Sequence, residues 1–385
     1  MRRCLRRALA VVLAAGCLPL TSAAAAPAPP SAWYQPGAYA GHSGSNDSET
    51  VVTAATVGSL GFAWRVSGPT SPPLVSGGRA WTVGADAVLR SFDVATGAPR
   101  TRTPVGRCTA GAVPPVMSST VVLVPTTGCD RRDSVRAFSA GDGRALWQRE
   151  LPNQLSSATV RLGVLYLTGG HGSVTALDAD DGQQRWARSG GQSTVLESAV
   201  SDGLLYTTTF GVVQARRLGD GRVLWTRPAG EYNSSVAAVG GRVYVSYVNG
   251  AGAAGDQRLI ALTSTGTELW EVFVGGGISS AQVRPSISGD TVLVPTVQGQ
   301  VVALDTATGR QRWASDIESD DLSTVSVAGG VAYTVEDGTL FGRDVRTGVD
   351  LVARPSPRKD NEPVVAAGHV LVSGDGLRVF EPKAG

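Results

Sequence analysis

The chain has 385 residues, with 34 basic and 32 acidic side chains, a net charge of +2 and 42% hydrophobic residues. That is too apolar and too balanced for a disordered chain, and too weakly charged for a polyanion-binding stripe, so no nucleic-acid partner is expected. Lys359 and Lys383 are the only lysines, and no phosphate-binding Walker loop, HExxH or EF-hand loop is present.

The N-terminus reads as a secretory signal over residues 1–26. MRRCLRR is a basic region, ALAVVLAAGCLPL an apolar stretch too short to span a membrane comfortably, and TSAAAA a small-residue cleavage zone. Cleavage is expected after Ala24 or Ala26, and LAAGC offers a competing lipidation site at Cys17. The mature product is expected to be secreted or held at the cell envelope, with no transmembrane segment. Residues 27–50, rich in Ala, Pro, Gly and Ser, are read as a flexible lead-in.

From residue 51 onward the chain repeats one unit. ALDTATGRQRW (303–313) and ALDADDGQQRW (176–186) are two copies: a buried strand, an Asp that accepts backbone hydrogen bonds in a turn, a glycine at the reversal, and a polar strand ending in Trp. Equivalent turn glycines fall at Gly97, Gly143, Gly182, Gly221, Gly266, Gly309 and Gly348, separated by 46, 39, 39, 45, 43 and 39 residues. Their mean spacing of about 42 is that of a four-stranded propeller blade. Trp147, Trp186, Trp225, Trp270 and Trp313 each follow their glycine by four residues, whereas Thr101 and Val352 replace Trp in the first and last copies.

Eight inner pieces, from SGGRAWTV (76–83) to AGHVLVSG (367–374), accompany only seven turns. The eighth blade therefore lacks an outer strand, and VGSLGFAWRV (57–66) supplies it, with Trp64 in the expected place. The predicted fold is all-β: an eight-bladed β-propeller of four-stranded antiparallel blades over residues 51–385, closed by pairing 57–66 with 367–382, which removes an aggregation-prone edge.

LDxxTGxxxW repeats at this spacing resemble the pyrroloquinoline-quinone-type (PQQ-like) propeller repeat, and NDSETVVTAATVGSLGFAW (46–64) resembles the opening segment of quinone-dependent alcohol dehydrogenases. The resemblance implies that Trp64, Trp147, Trp186, Trp225, Trp270 and Trp313 form a structural girdle, each flat against the turn of the next blade. Quinone enzymes of this kind also carry a calcium site, a catalytic Asp, a Trp floor and usually adjacent cysteines. This chain has no Cys-Cys pair and lacks their long inserted loops, and so resembles the lipoprotein scaffold of outer-membrane β-barrel assembly more closely. No cofactor is expected.

Cys108 and Cys129 remain after signal removal and are expected to form a disulfide, since no His lies near either in sequence to support a metal or nucleophile reading. His42, His171 and His369 are scattered and without partner motifs, and no catalytic residue is assigned. Asp316, Glu318, Asp320 and Asp321 form the one acidic cluster; as calcium ligands they lack the Gly and terminal Glu of a calcium loop, which favours a solvated loop. Blade-to-blade loops should bring Glu197, Tyr232, Asn233, Arg284, Asp320 and Glu362 to one channel mouth, where binding residues of a rigid scaffold usually sit. The expected function is that of an exported, monomeric, non-enzymatic binding or scaffold module for a protein or cell-wall glycan. Its alternative is a secreted quinone-dependent oxidoreductase of sugars or alcohols.

Overall fold

Eight four-stranded antiparallel sheets, arranged as blades, make up the computed structural model. It describes residues 31–68, 70–106, 113–129, 132–151, 154–189, 191, 193–230, 232–250, 255–276, 284–315, 322–356 and 362–383. Blade 1 runs Leu74–Ser76, Arg79–Val83, Val88–Asp93, Pro99–Pro104, from inner to outer strand. The inner strands of blades 2 to 8 are Val116–Met117, Leu155–Arg161, Val195–Ser201, Tyr232–Val239, Ser286–Ser288, Ser326–Ala328 and Val364–Ala366.

Ring closure follows the sequence reading. Leu60–Ser67 is the outer strand of blade 8 and pairs antiparallel with Gly376–Pro382, from Leu60 opposite Pro382 to Ser67 opposite Gly376. Residues Val57–Ser59, expected to begin that strand, form a short 3-10 turn instead.

The repeat unit explains itself at the turns. Asp305 Oδ1 accepts hydrogen bonds from the backbone N–H of Ala307 and Thr308 and from the Thr308 hydroxyl, while Gly309 adopts φ 70°. A Cβ at Gly309 would lie 2.8 Å from the Trp270 ring of blade 5, so the glycine is required both for the reversal and for the seat of the neighbouring ring. The same seating pairs Trp64 with Gly97, Trp147 with Gly182, Trp186 with Gly221, Trp225 with Gly266 and Trp313 with Gly348. Each indole N–H donates to a carbonyl of the facing turn, at 2.7 to 3.2 Å. The six rings thus stitch blade to blade. At the degenerate first copy, Thr101 rests on Gly143 and bonds with Ser91.

The lead-in departs from expectation. Over residues 31–50 it is not a flexible tether but part of the fold: Trp33, Ala38, His42, Asn46 and Glu49 are all buried. Small residues, read as flexibility in isolation, are what let this segment lie directly against the inner strands. Gly41 shows why, because any Cβ there would collide with the Ala238 carbonyl.

Candidate functional site

The inner strands line a central channel, and residues 33–46 circle its inside in the same order as the blades. Trp33 exchanges two backbone hydrogen bonds with Val75 of blade 1, and Tyr34 O accepts from Met117 of blade 2. The Gln35 amide accepts from Val160 N at 2.8 Å in blade 3 and donates back to its carbonyl. Ala40 O takes Val200 N of blade 4, Gly41 O takes Ala238 N of blade 5, Ser43 O takes Ile287 N of blade 6, and Gly44 O takes Val327 N of blade 7. Ser45–Asn46 then adds a short parallel strand to blade 7, and the Asn46 amide donates to Val365 O of blade 8 at 2.7 Å. Every blade is tied to this one segment near the end of its inner strand that turns into the second strand.

Glu49 closes the loop. Its carboxylate accepts from the Ser31 hydroxyl at 2.5 Å, from Gly368 N in blade 8, and from the N–H groups of Val51 and Val52.

Deeper in the channel lies an ionic cluster. Arg284, just before the inner strand of blade 6, donates from Nε to Glu197 Oε1 of blade 4 at 2.6 Å and lies 3.7 Å from Glu362 Oε2, just before the inner strand of blade 8. Glu362 accepts from Gly37 N at 2.8 and 3.1 Å, and Glu197 accepts from Val236 N at 3.2 Å. His42 stands 3.7 Å from Glu197, beyond hydrogen-bond reach, with its other ring nitrogen 3.4 Å from the Thr159 hydroxyl.

The electrostatics follow the spacing. Burial works to raise the Glu197 carboxyl, but Arg284 and His42 outweigh it and hold it down to about 2. Burial pushes Glu362 above the usual carboxylate range, which the more distant Arg284 and Gly37 N only partly offset. Burial likewise presses His42 below its ordinary value, against the pull of Glu197, and so favours the neutral imidazole. Burial opposes charge on Arg284 too, yet its two carboxylates keep it a firm cation.

Three residues expected at the channel mouth, Glu197, Arg284 and Glu362, are therefore brought together, but not as a displayed binding set. They are turned inward and spent on one another and on the lead-in, because a buried guanidinium needs carboxylates within reach. The strand carrying Tyr232 and Asn233 lines the same channel, with their side chains outside the described residues, as is Asp320. The acidic cluster of Asp316, Glu318, Asp320 and Asp321 also lies outside them, as do Cys108 and the side chain of Cys129. Among the described residues no group of His, Cys, Asp and Glu is arranged to hold a metal. His42, which the sequence marks only as a lone histidine in the lead-in, joins the cluster; its signal was its place within a glycine-rich GHSG that can approach a backbone closely. His369 sits at a strand start, 3.3 Å from Glu381.

Among the described residues nothing is arranged to hold a quinone: six indoles are committed between blades, Glu197 and Glu362 are already bonded to protein groups, and one end of the channel is occupied by the chain's own lead-in. No step is therefore routed through such a cofactor.

These features define a PQQ-like eight-bladed propeller with a self-plugged channel. The family model described as outer membrane protein assembly factor BamB matches residues 86–258 and 255–381, and the chain belongs to that family. No curated protein sequence matches it. Among solved structures, BamB from Moraxella catarrhalis is similar at 15% identity and TM-score 0.67, covering 84% of this chain and 99% of that one. Quinohemoprotein alcohol dehydrogenase from Comamonas testosteroni is similar at 14% identity and TM-score 0.70, covering 92% and 82%. The computationally designed Ika8 protein gives 15% identity and TM-score 0.70, covering 83% and 98%. At such identities the likeness is one of fold.

Proposed function

We propose that this protein is an exported, non-enzymatic propeller that serves as a binding or scaffold module of the cell envelope and takes a protein partner. The observation that carries the reading is the plugged channel: one end is filled by residues 33–46, and deeper in it Arg284 cross-braces Glu197 and Glu362. Membership of a family described as an outer membrane protein assembly factor supports the partner class. The secretory pattern at the N-terminus supports export, and no helix among the described residues is long and apolar enough to cross a membrane.

The plugged face offers a surface for such a partner. A cleft of about 460 Å³ runs beside Tyr34, Tyr39, Met117 and Val160, and Leu162 stands at its rim with 84% of its surface exposed. Leu162 also has a left-handed backbone, φ 49°, which holds an apolar side chain outward at a turn tip.

Cross-linked pull-down from the native envelope fraction tests the reading. A defined protein retained by the wild type and lost with Leu162→Asp is expected. N-terminal sequencing of the mature chain should begin near Ala25 or Pro27. Addition of quinone and Ca²⁺ followed by dye reduction with glucose, ethanol and polyols is the opposing assay. Turnover above about 1 per second would replace the scaffold reading with an oxidoreductase.

A further inference from the structure

A second concave site lies away from the channel, between blades 3 and 4. It has a volume of about 490 Å³ and is lined by Arg188, Arg216 and Arg222 together with Ser189, Ser193 and Gln214. No carboxylate is among its described lining residues. Arg188 and Arg222 are exposed, but Arg216 is 8% exposed. Its guanidinium donates to Gln214 Oε1 at 2.6 Å and to Gly221 O at 3.3 Å, while its Nε has no acceptor. Burial alone acts on it, weakening its hold on the proton.

The other blades show what is missing. In the sheet ladder Arg216 stands opposite Val223, and Thr209 opposite Val212. The same two ladder positions in blade 7 are Arg343 opposite Asp350 and Glu336 opposite Thr339. There the arginine is held by Glu336 and, from Nε at 2.8 Å, by Asp350. In the remaining complete repeats the position is apolar: Phe92, Phe138, Leu177, Leu262 and Leu304. Blade 4 has the arginine of blade 7 with Thr209 and Val223 in place of both carboxylates, and a cleft opens beside it. A buried cation without a counter-charge is unfavourable, and a planar fork of N–H donors suits an incoming oxyanion.

We propose that the cleft between blades 3 and 4 binds a small hydroxylated oxyanion, a sugar acid or sugar phosphate, whose anionic group takes the place that Glu336 and Asp350 occupy in blade 7. Three arginines supply the charge recognition, and the Ser189, Ser193 and Gln214 side chains supply donors and acceptors for hydroxyl groups. The volume is within the range of small-molecule sites, roughly 300–1,000 Å³. This assignment is independent of the partner proposed for the plugged face, and Leu162→Asp should leave it unchanged.

Calorimetric titration of the full mature protein with glucuronate, glucose 1-phosphate, inorganic phosphate and glucose tests it. At least one sugar anion should bind about tenfold or more tightly than glucose, and more tightly than inorganic phosphate. Arg216→Leu should weaken that binding by about tenfold or more, since a charge-assisted contact is lost. The variant should fold, because leucine already occupies this position in blades 3, 5 and 6. Thr209→Glu with Val223→Asp, which rebuilds the blade 7 arrangement, should also abolish anion binding while raising Tm. The proposal falls if neither sugar anion binds below a Kd on the order of 10 mM, if glucose binds equally well, or if Arg216→Leu leaves the affinity unchanged. Inorganic phosphate binding as tightly as the sugar anions would overturn the assignment to a hydroxylated ligand.

Discussion

Blades 4 and 7 carry arginine at one ladder position and treat it in opposite ways. In blade 7 Arg343 lies over the Phe341 ring at 4.8 Å and between two carboxylates, and their pull overcomes the effect of burial on the guanidinium. In blade 4 Arg216 feels burial with no opposing charge. One backbone frame thus holds a completed ion pair in one copy and half of one in another. The fold tolerates both because the turn of each of these two blades seats a Trp from the blade before it. Trp186 seats on Gly221 and Trp313 on Gly348. The repeat therefore leaves room for local charge to be used for something other than cohesion.

The comparison can be broken or sharpened by substitution. The largest effect is expected at Arg284, partly buried in the channel, which resembles Arg343 in having two acidic partners. Arg284→Met strands Glu197 and Glu362 in the channel and should destabilise by at least about 3–5 kcal/mol, measured by denaturant unfolding. Arg343→Leu should cost about 3 kcal/mol, because Glu336 is buried while Asp350 can turn to water. Arg216→Leu should go the other way, by zero to about 1–2 kcal/mol of gain, because it removes a buried charge that has no counter-charge among the described residues. Equal losses at Arg216 and Arg343 would erase the distinction between the blades.

The smallest effect is a pH dependence. Burial lowers the His42 pKa in the fold, so as pH falls through about 6.5 the unfolded chain takes up its proton first. The contribution of neutral His42 is complete above that pH and is lost below it. Tm should fall between pH 7.5 and 5.5, and fall less in His42→Gln. A parallel decline in both proteins would place the titration elsewhere.

The ring of blades was legible because its determinants are local. A turn needs Gly at positive φ, a Trp four residues on needs that bare turn as its seat, and both recur at a fixed interval. Closure was legible from a mismatch in counting, eight inner pieces against seven turns. The lead-in was not, because its attachments run through the backbone carbonyls of Tyr34, Ala40, Gly41, Ser43 and Gly44, which side-chain chemistry does not advertise. Gln35, Asn46 and Glu49 are among the polar side chains that anchor it, and each is a residue type common in loops. Loop position alone suggested Glu197, Arg284 and Glu362 as channel-mouth residues, whereas the structure turns them inward on one another. Their mutual pairing depends on distances across the channel that spacing along the chain does not contain. The oddity of Arg216 was visible as RRLGDG beside LDADDG and LDTATG, since Arg stands where those copies have Leu. What made it informative was the ladder register that set it beside Arg343.

Blade 8 joins two segments that lie far apart in the chain: its outer strand, Leu60–Ser67, pairs with Gly376–Pro382. A pairing this non-local is slow to form, because the loop between the strands must be ordered before the contact stabilises it. The segment at 33–46 touches the inner strands of all eight blades, so its full set of hydrogen bonds exists only once the ring has closed. Closure of the circle and seating of that segment are therefore one coupled event.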